Sequence, residues 1–463
     1  MGNQKKCKVD NVTIAYLGGG SLGWAHILIT DLAMEEQISG SVRLYDIDYD
    51  AACQNAAIGN NVTAMPASKG KWSYTATKSI EEALEGADFV IASILPGTFK
   101  EMHADVHTPE KYGVYQSVGD TVGPGGIIRS LRTIPIYRDF ALKIKERAPD
   151  AWVINYTNPM SVCVRTLYET FPQIKAFGCC HEVFGTQDLL ASLLSKLRGI
   201  NGVARHDIKM NVLGINHFTW VDKMSYLDTD LMPLYSEAVG KFSESGYKHH
   251  ENNDPELSVF RDSNIVKFDL FKRYGLVAAA GDRHLAEFMP PSYLESPQTV
   301  KDFGFALTPV DYRIESRKKL VKRRSALVSG EEKITLAPTG EEGMQIIKAL
   351  LGLSDYVTNV NLPNSTQMDN IPSHAIVETN ALFSRDCIRP LEAGKLPDDI
   401  QNMVVRHVYN QECVVKAGLE RDKPLAFNAF INDPLMAKVS LTDAKMLFDE
   451  MLESTKLYLQ EWE

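Results

Sequence analysis

Val12-Thr13-Ile14-Ala15-Tyr16-Leu17-Gly18-Gly19-Gly20-Ser21-Leu22-Gly23 decides the fold of this chain. A short apolar run of β-forming residues passes directly into G-x-G-x-x-G, and a helical pattern opens near Trp24. That strand, turn and helix context is what a dinucleotide-binding loop requires. Gly18 is expected to permit the tight turn, Gly20 to let the backbone approach a pyrophosphate, and Gly23 to allow close helix-to-strand packing. The helix N-terminus then offers amide donors and a positive dipole to the phosphates. Ser21 in the loop and Pro96 beyond the run Phe89–Leu95 are further candidate cofactor-binding residues. At the end of the next strand, Asp46 stands where an acid would hold a ribose diol, and its charge would repel a 2′-phosphate, favouring NAD over NADP. Asp48, two residues on, competes for that role.

Working outward, other short apolar runs follow at Val42–Tyr45, Phe89–Leu95, Trp152–Tyr156 and Ile174–Gly178, separated by helical patterns. Apolar runs alternating with helices are the signature of a parallel sheet with crossover helices, so the fold class is α/β with an N-terminal Rossmann-type sheet. Beyond about residue 200 the pattern changes. Lys209–Phe218 and Leu276–Ala280 read as strands, while Glu341–Leu353 and Thr442–Tyr458 have helical periodicity. The division expected is residues 1–200 as an NAD-binding domain and 201–463 as an α+β domain for substrate, metal and oligomerisation. No Gly/Pro/Ser linker separates them. Tyr247–Pro255 and the basic run Arg317–Arg324 are expected to be solvated surface.

Composition bounds the function. The chain has 463 residues, 44% hydrophobic and 23% charged, an ordinary globular balance that excludes a disordered chain. A formal charge of −10, from 49 Lys+Arg and 59 Asp+Glu, argues against nucleic acid as a partner. No run of about 18 apolar residues is present, so no membrane partner is expected. The N-terminal residues carry neither the apolar core of a signal peptide nor a myristoylation motif. Seven thinly spread cysteines suggest reduced thiols and a cytoplasmic setting.

Three segments end in polar groups where strands should finish: Asn155-Tyr156-Thr157-Asn158-Pro159, Gly178-Cys179-Cys180-His181-Glu182 and Gly214-Ile215-Asn216-His217. Ligands of open α/β sheets bind at such carboxyl ends. A thiolate with an imidazole suits a borderline divalent ion with open positions. A strand alternates its faces, so Cys179 and Cys180 cannot both point at one ion. Spacing leaves the two cysteines equivalent, and His181 competes with His217.

With the glycine loop, the Asn-Pro-Met turn, the Cys-His pair and the Ile-Asn-His strand end, the chain resembles glycoside hydrolase family 4 over essentially its whole length. It is most similar there to the bacterial α-galacturonidases, through Tyr115–Gly126, Trp152–Met160, Gly178–Gln187 and Gly281–Phe288. The family stands outside the two-carboxylate scheme of most glycosidases. The resemblance implies release of galacturonate from α-linked, pectin-derived oligosaccharides by transient oxidation. NAD⁺ takes hydride from sugar C3, a base removes the C2 proton, the leaving sugar is eliminated, water adds, and the hydride returns. It implies NAD and Mn²⁺ or another divalent metal as cofactors, a uronic-acid glycoside as substrate, and a homodimer or homotetramer.

Residue by residue, Cys180 and His217 match the family's metal ligands. Asn155 and Asn158 match the turn that holds substrate hydroxyls, and Asp120 matches an acid near the scissile bond. Asp282 stands where some members keep Asp and others a Tyr base. His181 replaces an Asp found in other members and is a candidate catalytic group. For a C6 carboxylate, Arg129, Arg132, Arg283 and His284 are candidates, since a guanidinium fork or an imidazolium can pair with it. Competing readings are another family 4 specificity (α-glucuronidase, α-glucosidase, α-galactosidase or 6-phospho-glycosidase), a malate/lactate-type dehydrogenase, and a non-catalytic NAD sensor.

Overall fold

The computed structural model describes residues 8–249, 262–459 and 462. Strands β1 (Val9–Leu17), β2 (Ile38–Tyr45), β3 (Lys71–Thr77), β4 (Phe89–Ala92), β5 (Trp152–Asn155) and β6 (Lys175–Gly178) pair in parallel in the order β3-β2-β1-β4-β5-β6. This is the order of a doubly wound nucleotide-binding sheet, with its switch point between β1 and β4. Each expected apolar run falls on one of these strands, although β4 ends at Ala92, short of Leu95, β5 ends at Asn155, and β6 starts at Lys175. β3 was missed because Lys-Trp-Ser-Tyr-Thr-Ala-Thr alternates buried Trp72 and Tyr74 with exposed neighbours, as an edge strand does.

The second half does more than sit beside this sheet. Strands β11 (Tyr356–Pro363), β12 (Ile376–Ser384) and β13 (Cys387–Pro390) continue it antiparallel beyond β6, making nine strands. Ile346, Ile347, Leu350, Val360 and Phe383 share one apolar core with Val12, Ile14, Leu44 and Ile154. Each such side chain contributes about 1.5–3 kcal/mol when fully buried, an upper estimate.

A separate sheet holds β7 (Ile208–Ile215), β8 (Phe218–Tyr226), β9 (Thr229–Asp230) and β10 (Val277–Ala278), in the order β10-β8-β7 with β9 on β8. The single strand expected over Lys209–Phe218 is therefore a hairpin: the chain turns at Asn216-His217, and Phe218 opens the return strand opposite Ile215. The expected helices occur as Gly343–Leu350 and as Leu441–Thr455 followed by a 3₁₀ turn. Of Tyr247–Pro255, the residues from 250 onward lie outside the described ones. The basic run lies on helix Val310–Ser329, with Arg317, Lys318, Lys319, Lys322 and Arg323 exposed. Arg324 departs from the expected solvated surface. It is buried, and its guanidinium donates to the Gly20 carbonyl at 3.1 Å. Among the described residues, no helix is long and apolar enough to cross a membrane.

Candidate active site

The glycine loop follows β1, and each of its glycines answers a different constraint. Gly18 has φ +96°, and a Cβ there would stand 2.0 Å from the Ser93 carbonyl oxygen on the neighbouring chain segment. The close packing onto a strand expected of Gly23 belongs instead to Gly19, where a Cβ would meet Leu44 Cβ at 2.7 Å. At Gly23 a Cβ would meet nothing within 4 Å, and the residue precedes helix Trp24–Met34, so the space before that helix is open. The Gly20 amide donates to Asp46 Oδ2 at 2.8 Å, and Ser21 N–H turns back to the Gly18 carbonyl at 3.0 Å. Asp46 is thus fixed against the loop at the end of β2. Asp48 is occupied otherwise: its carboxylate accepts from Ala51 N–H and caps helix Tyr49–Thr63. Pro96 is buried, and its carbonyl accepts from Arg132 Nε at 2.9 Å.

Asp120, His217 and His284 bring one ligand atom each to within 4.8 Å of one another. His217 is buried at the hairpin turn with φ 63°, a left-handed conformation uncommon outside glycine. Its ring lies 3.8 Å from that of His284, centroid to centroid. Thr121 joins two members of the cluster. Its hydroxyl donates to Asp120 Oδ1 at 2.8 Å and lies 2.9 Å from His217 Nδ1. With its only proton given to the carboxylate, the hydroxyl must accept from Nδ1–H, which leaves the His217 Nε2 lone pair for a ligand.

Burial, reinforced by His284, lowers the His217 pKa to about 3 and keeps the ring neutral. Burial alone would raise Asp120, but the Arg129 guanidinium and then His284 hold its carboxyl well below the usual range. Glu182, which opens helix Glu182–Arg198, lies 3.5 Å from His284 Nε2 and accepts from Gly281 N–H at 2.8 Å. Against the effect of burial, His284 and the other two imidazoles bring it down to about 2.

Helix Asp282–Phe288 organises this region. The Glu287 carboxylate accepts from the Val118 and Gly119 amides at 2.7 and 2.9 Å, and Arg283 donates to the Ser117 carbonyl at 2.9 Å. These contacts clamp the loop that carries Asp120, while His284, between them, faces the cluster. Asp282 points elsewhere. Its two oxygens accept from Val266 and Lys267 N–H at 3.3 and 3.0 Å, at the N-terminus of helix Ile265–Tyr274.

The other expected site residues divide into those near the cluster and those that shape its surroundings. Arg129 is buried and donates to the Asn158 carbonyl at 3.0 Å. Asn155 is saturated internally: it accepts from Tyr137 O–H and Thr157 N–H and donates to the Thr157 carbonyl, which shapes the turn leading to Asn158. Arg132 forms a buried bidentate ion pair with Asp105. Just beyond the end of β6, Cys179 packs on the side of Trp24 and Tyr156, and Cys180 on the side of Met160, Val164 and Ile376, so the two thiols face different ways. Cys180 is not one of the three clustered groups. It lies by Asn216 and Glu378, and burial, followed by Glu378 and Glu182, pushes its thiol up. His181 is exposed, 3.7 Å from Glu341 and stacked near Trp24.

Sequence reasoning missed Thr121, Glu182, Glu287 and Glu378, and placed His284 with the substrate rather than beside His217. The buried atoms His284 Nδ1 and Asn158 Oδ1 have no hydrogen-bond partner among the described residues. Each such atom costs about 1–3 kcal/mol unless a ligand satisfies it. Imidazole, carboxylate and a nearby thiol form a donor set that fits a divalent cation of the Mn²⁺ or Zn²⁺ kind. The open helix start with Asp46 beside it fits a dinucleotide.

The description "Family 4 glycosyl hydrolase" matches residues 13–196, and "Family 4 glycosyl hydrolase C-terminal domain" matches 212–436. The chain is 61% identical to an alpha-galacturonidase of Thermoanaerobacterium saccharolyticum over 456 residues, 98% of each chain. It resembles the crystal structure of lplD from Bacillus subtilis, described there as a glucosidase, with a TM-score of 0.92 and 50% identity over 96% of this chain and 100% of that one. A 6-phospho-alpha-glucosidase from gut microorganisms, solved in complex with NAD and Mn²⁺, shares the fold at a TM-score of 0.79 and 21% identity, over 97% of this chain and 99% of that one. A chain matched by both halves of one family description, and folded as its members are, belongs to glycosyl hydrolase family 4.

Proposed function

We propose that this enzyme is an α-galacturonidase that uses NAD⁺ and a divalent metal ion, Mn²⁺ first among them, to release galacturonate from α-linked oligosaccharides. The observation that carries the reading is the Asp120–His217–His284 cluster, half-buried around the buried His217, with orphaned His284 Nδ1 and Asn158 Oδ1 nearby, in a chain 61% identical to an alpha-galacturonidase. His217 Nε2, His284 and Cys180 would hold the metal, and the Gly18–Gly23 loop with Asp46 would hold the dinucleotide. The dinucleotide would supply hydride exchange at sugar C3, and the metal would supply Lewis-acid polarisation of the oxygen there.

The chain's own residues do the rest. Thr121 fixes the His217 tautomer. Arg129 keeps Asp120 ionised, so that Asp120, the carboxylate of the cluster, can accept a proton from the sugar. Asn158 Oδ1 accepts a sugar hydroxyl. Asp282, whose oxygens are both taken by backbone amides, supports the helix next to the site. The thiols of all six described cysteines are free, in keeping with a reducing cytoplasm. Assembly as a homodimer or homotetramer, and a functional division near residue 200, belong to the same proposal.

The test is hydrolysis of p-nitrophenyl α-galacturonide with NAD⁺, Mn²⁺ and a reductant. Activity should stop on removing NAD⁺ or chelating the metal, with no net NADH formed, and product made in D₂O should carry deuterium at C2. Stoichiometric NADH would make the protein a dehydrogenase, and retention of every C2 proton would exclude elimination.

A further inference from the structure

Three successive carbonyls of the glycine loop are held by side chains from other elements. Asn55, on helix Tyr49–Thr63, donates to the Gly19 and Ser21 carbonyls at 2.8 Å each, and its own Oδ1 lies 3.1 Å from His26 Nε2. Between those two, the Gly20 carbonyl accepts from Arg324 Nη1 at 3.1 Å. The N–H of the same Gly20 donates to Asp46 Oδ2 at 2.8 Å. A guanidinium and a carboxylate thus stand on the two ends of one residue, and among the described residues no ion pair joins them.

Arg324 is 8% exposed, and the Gly20 carbonyl is its one hydrogen-bond acceptor among the described residues. Its Nε is a buried donor without a partner. A guanidinium carries five N–H donors, so this one keeps an unmet donor in a place closed to water. Burial lowers the Arg324 pKa; Asp48 opposes this, Arg317 adds to it, and Asp46 opposes it again. Those neighbours locate the group between the glycine loop and the turn from β2 to helix Tyr49–Thr63, where Asp48 caps the helix. Asp46 is already engaged there, since its oxygens accept from Gly20 N–H and, at 2.9 Å, from Asp48 N–H. Arg317 is exposed, and seven residues before Arg324 it lies on the same helical face, about 10 Å along the axis. In a dinucleotide fold of this kind, the 2′ oxygen of the adenosine ribose falls beside the acid that follows the second strand.

We propose that Arg324 receives the 2′-phosphate of NADP⁺, so that the enzyme accepts this cofactor as well as NAD⁺. The inference rests on the dinucleotide site of the reading above. Asp46 by itself repels a 2′-phosphate, but its oxygens are turned to two amides, and a guanidinium on the same glycine supplies the opposite charge and a free donor. Arg317 adds attraction from the solvent side. The pyrophosphate is a less fitting partner. It belongs on the N-terminus of helix Trp24–Met34, whereas the carboxylates nearest in effect to Arg324 are Asp48 and Asp46, at the ribose end.

The test is calorimetric binding of NAD⁺, NADP⁺, ADP-ribose and 2′-phospho-ADP-ribose to full-length wild type, Arg324→Gln and Arg324→Lys, at low and high salt. Wild type should bind NADP⁺ within about thirtyfold of NAD⁺, and NADP⁺ should lose more affinity on adding salt. NADP⁺ should also sustain hydrolysis of p-nitrophenyl α-galacturonide in place of NAD⁺. Arg324→Gln should lower the ratio of NADP⁺ to NAD⁺ affinity about ten- to a hundredfold. Arg324→Lys, which keeps the charge without the fork, should lower it less. The two ADP-ribose ligands should repeat the pattern, which takes the nicotinamide out of the comparison. NADP⁺ binding weaker than that thirtyfold limit, no turnover with NADP⁺, or an unchanged ratio in Arg324→Gln would each overturn the proposal; the last result would leave Arg324 as a support for the loop alone. If Arg324→Gln does not fold, the wild-type ratio and the Arg324→Lys variant decide. Wild type that binds neither dinucleotide sinks the NAD⁺ reading itself, whereas binding of NAD⁺ alone sinks only this proposal.

Discussion

Thr121 is a small residue between two conspicuous ones, yet it decides which nitrogen of His217 is available. Replacing it with Val removes the acceptor for Nδ1–H and the donor to Asp120 at once. Such supporting contacts are worth about 10–100-fold in metal affinity. Thr121→Val should lose that factor in Mn²⁺ titration while Thr121→Ser keeps most of it, and unchanged affinity in the Val variant would remove Thr121 from the site. At the glycine loop the expected roles can be separated by one methyl group. Gly19→Ala drives a Cβ into Leu44 and should cost about 1–3 kcal/mol in urea unfolding. Gly23→Ala meets open space and should fold normally while binding NAD⁺ more weakly; the reverse ranking would restore Gly23 to a packing role. His217 and Asp120, which the structure brings together with His284, stand in segments that the sequence marks as polar strand ends or distinctive strings, whereas the choice of Cys180 over Cys179 comes from the family resemblance and not from spacing. Glu287 and Glu182 could not be read from the sequence, because their partners lie 168 and 99 residues away and nothing local marks the contact.

At the level of elements, the parallel strands were legible because strands covered on both faces are written as unbroken apolar runs. The hairpin β7–β8 was not, because its turn residues Asn216 and His217 are buried and carry no Gly or Pro to mark the reversal. Helix Trp24–Met34 illustrates another kind of invisible contact. Asp31 on this helix accepts the Thr339 hydroxyl at 2.9 Å on both oxygens, tying it to the segment before helix Gly343–Leu350. Burial raises the Asp31 carboxyl from 3.8 to about 6 despite that hydrogen bond. A folded-state pKa above the unfolded one means that the contribution is fully present below about pH 4 and is lost as pH rises through 6. Asp31→Asn should therefore flatten part of the fall in unfolding free energy between pH 4 and 7. Identical pH profiles for the two proteins would show that this carboxyl does not titrate as its burial requires.

For the molecule as a whole, the nine-stranded sheet and its shared core make residues 343–390 part of what holds β1 to β6 together. The sequence suggested two domains because the nucleotide-binding pattern stops near residue 200. What it could not show is that β11 to β13 return to extend the same sheet, a pairing between residues as far apart as Gly178 and Asn361. Calorimetry of the intact chain should give one cooperative transition, and two well-separated transitions would mean that the halves unfold independently.

The grip of Arg324 on the Gly20 carbonyl has a consequence for how the protein is made. These residues are 304 positions apart, so at a ribosomal pace of about 5–20 residues per second the nucleotide loop emerges roughly 15–60 s before its clamp. During that interval the nascent N-terminal strands lack both their later edge and the arginine that closes over the loop. The growing polypeptide should therefore acquire affinity for the dinucleotide late in translation, after helix Val310–Ser329 has left the exit tunnel.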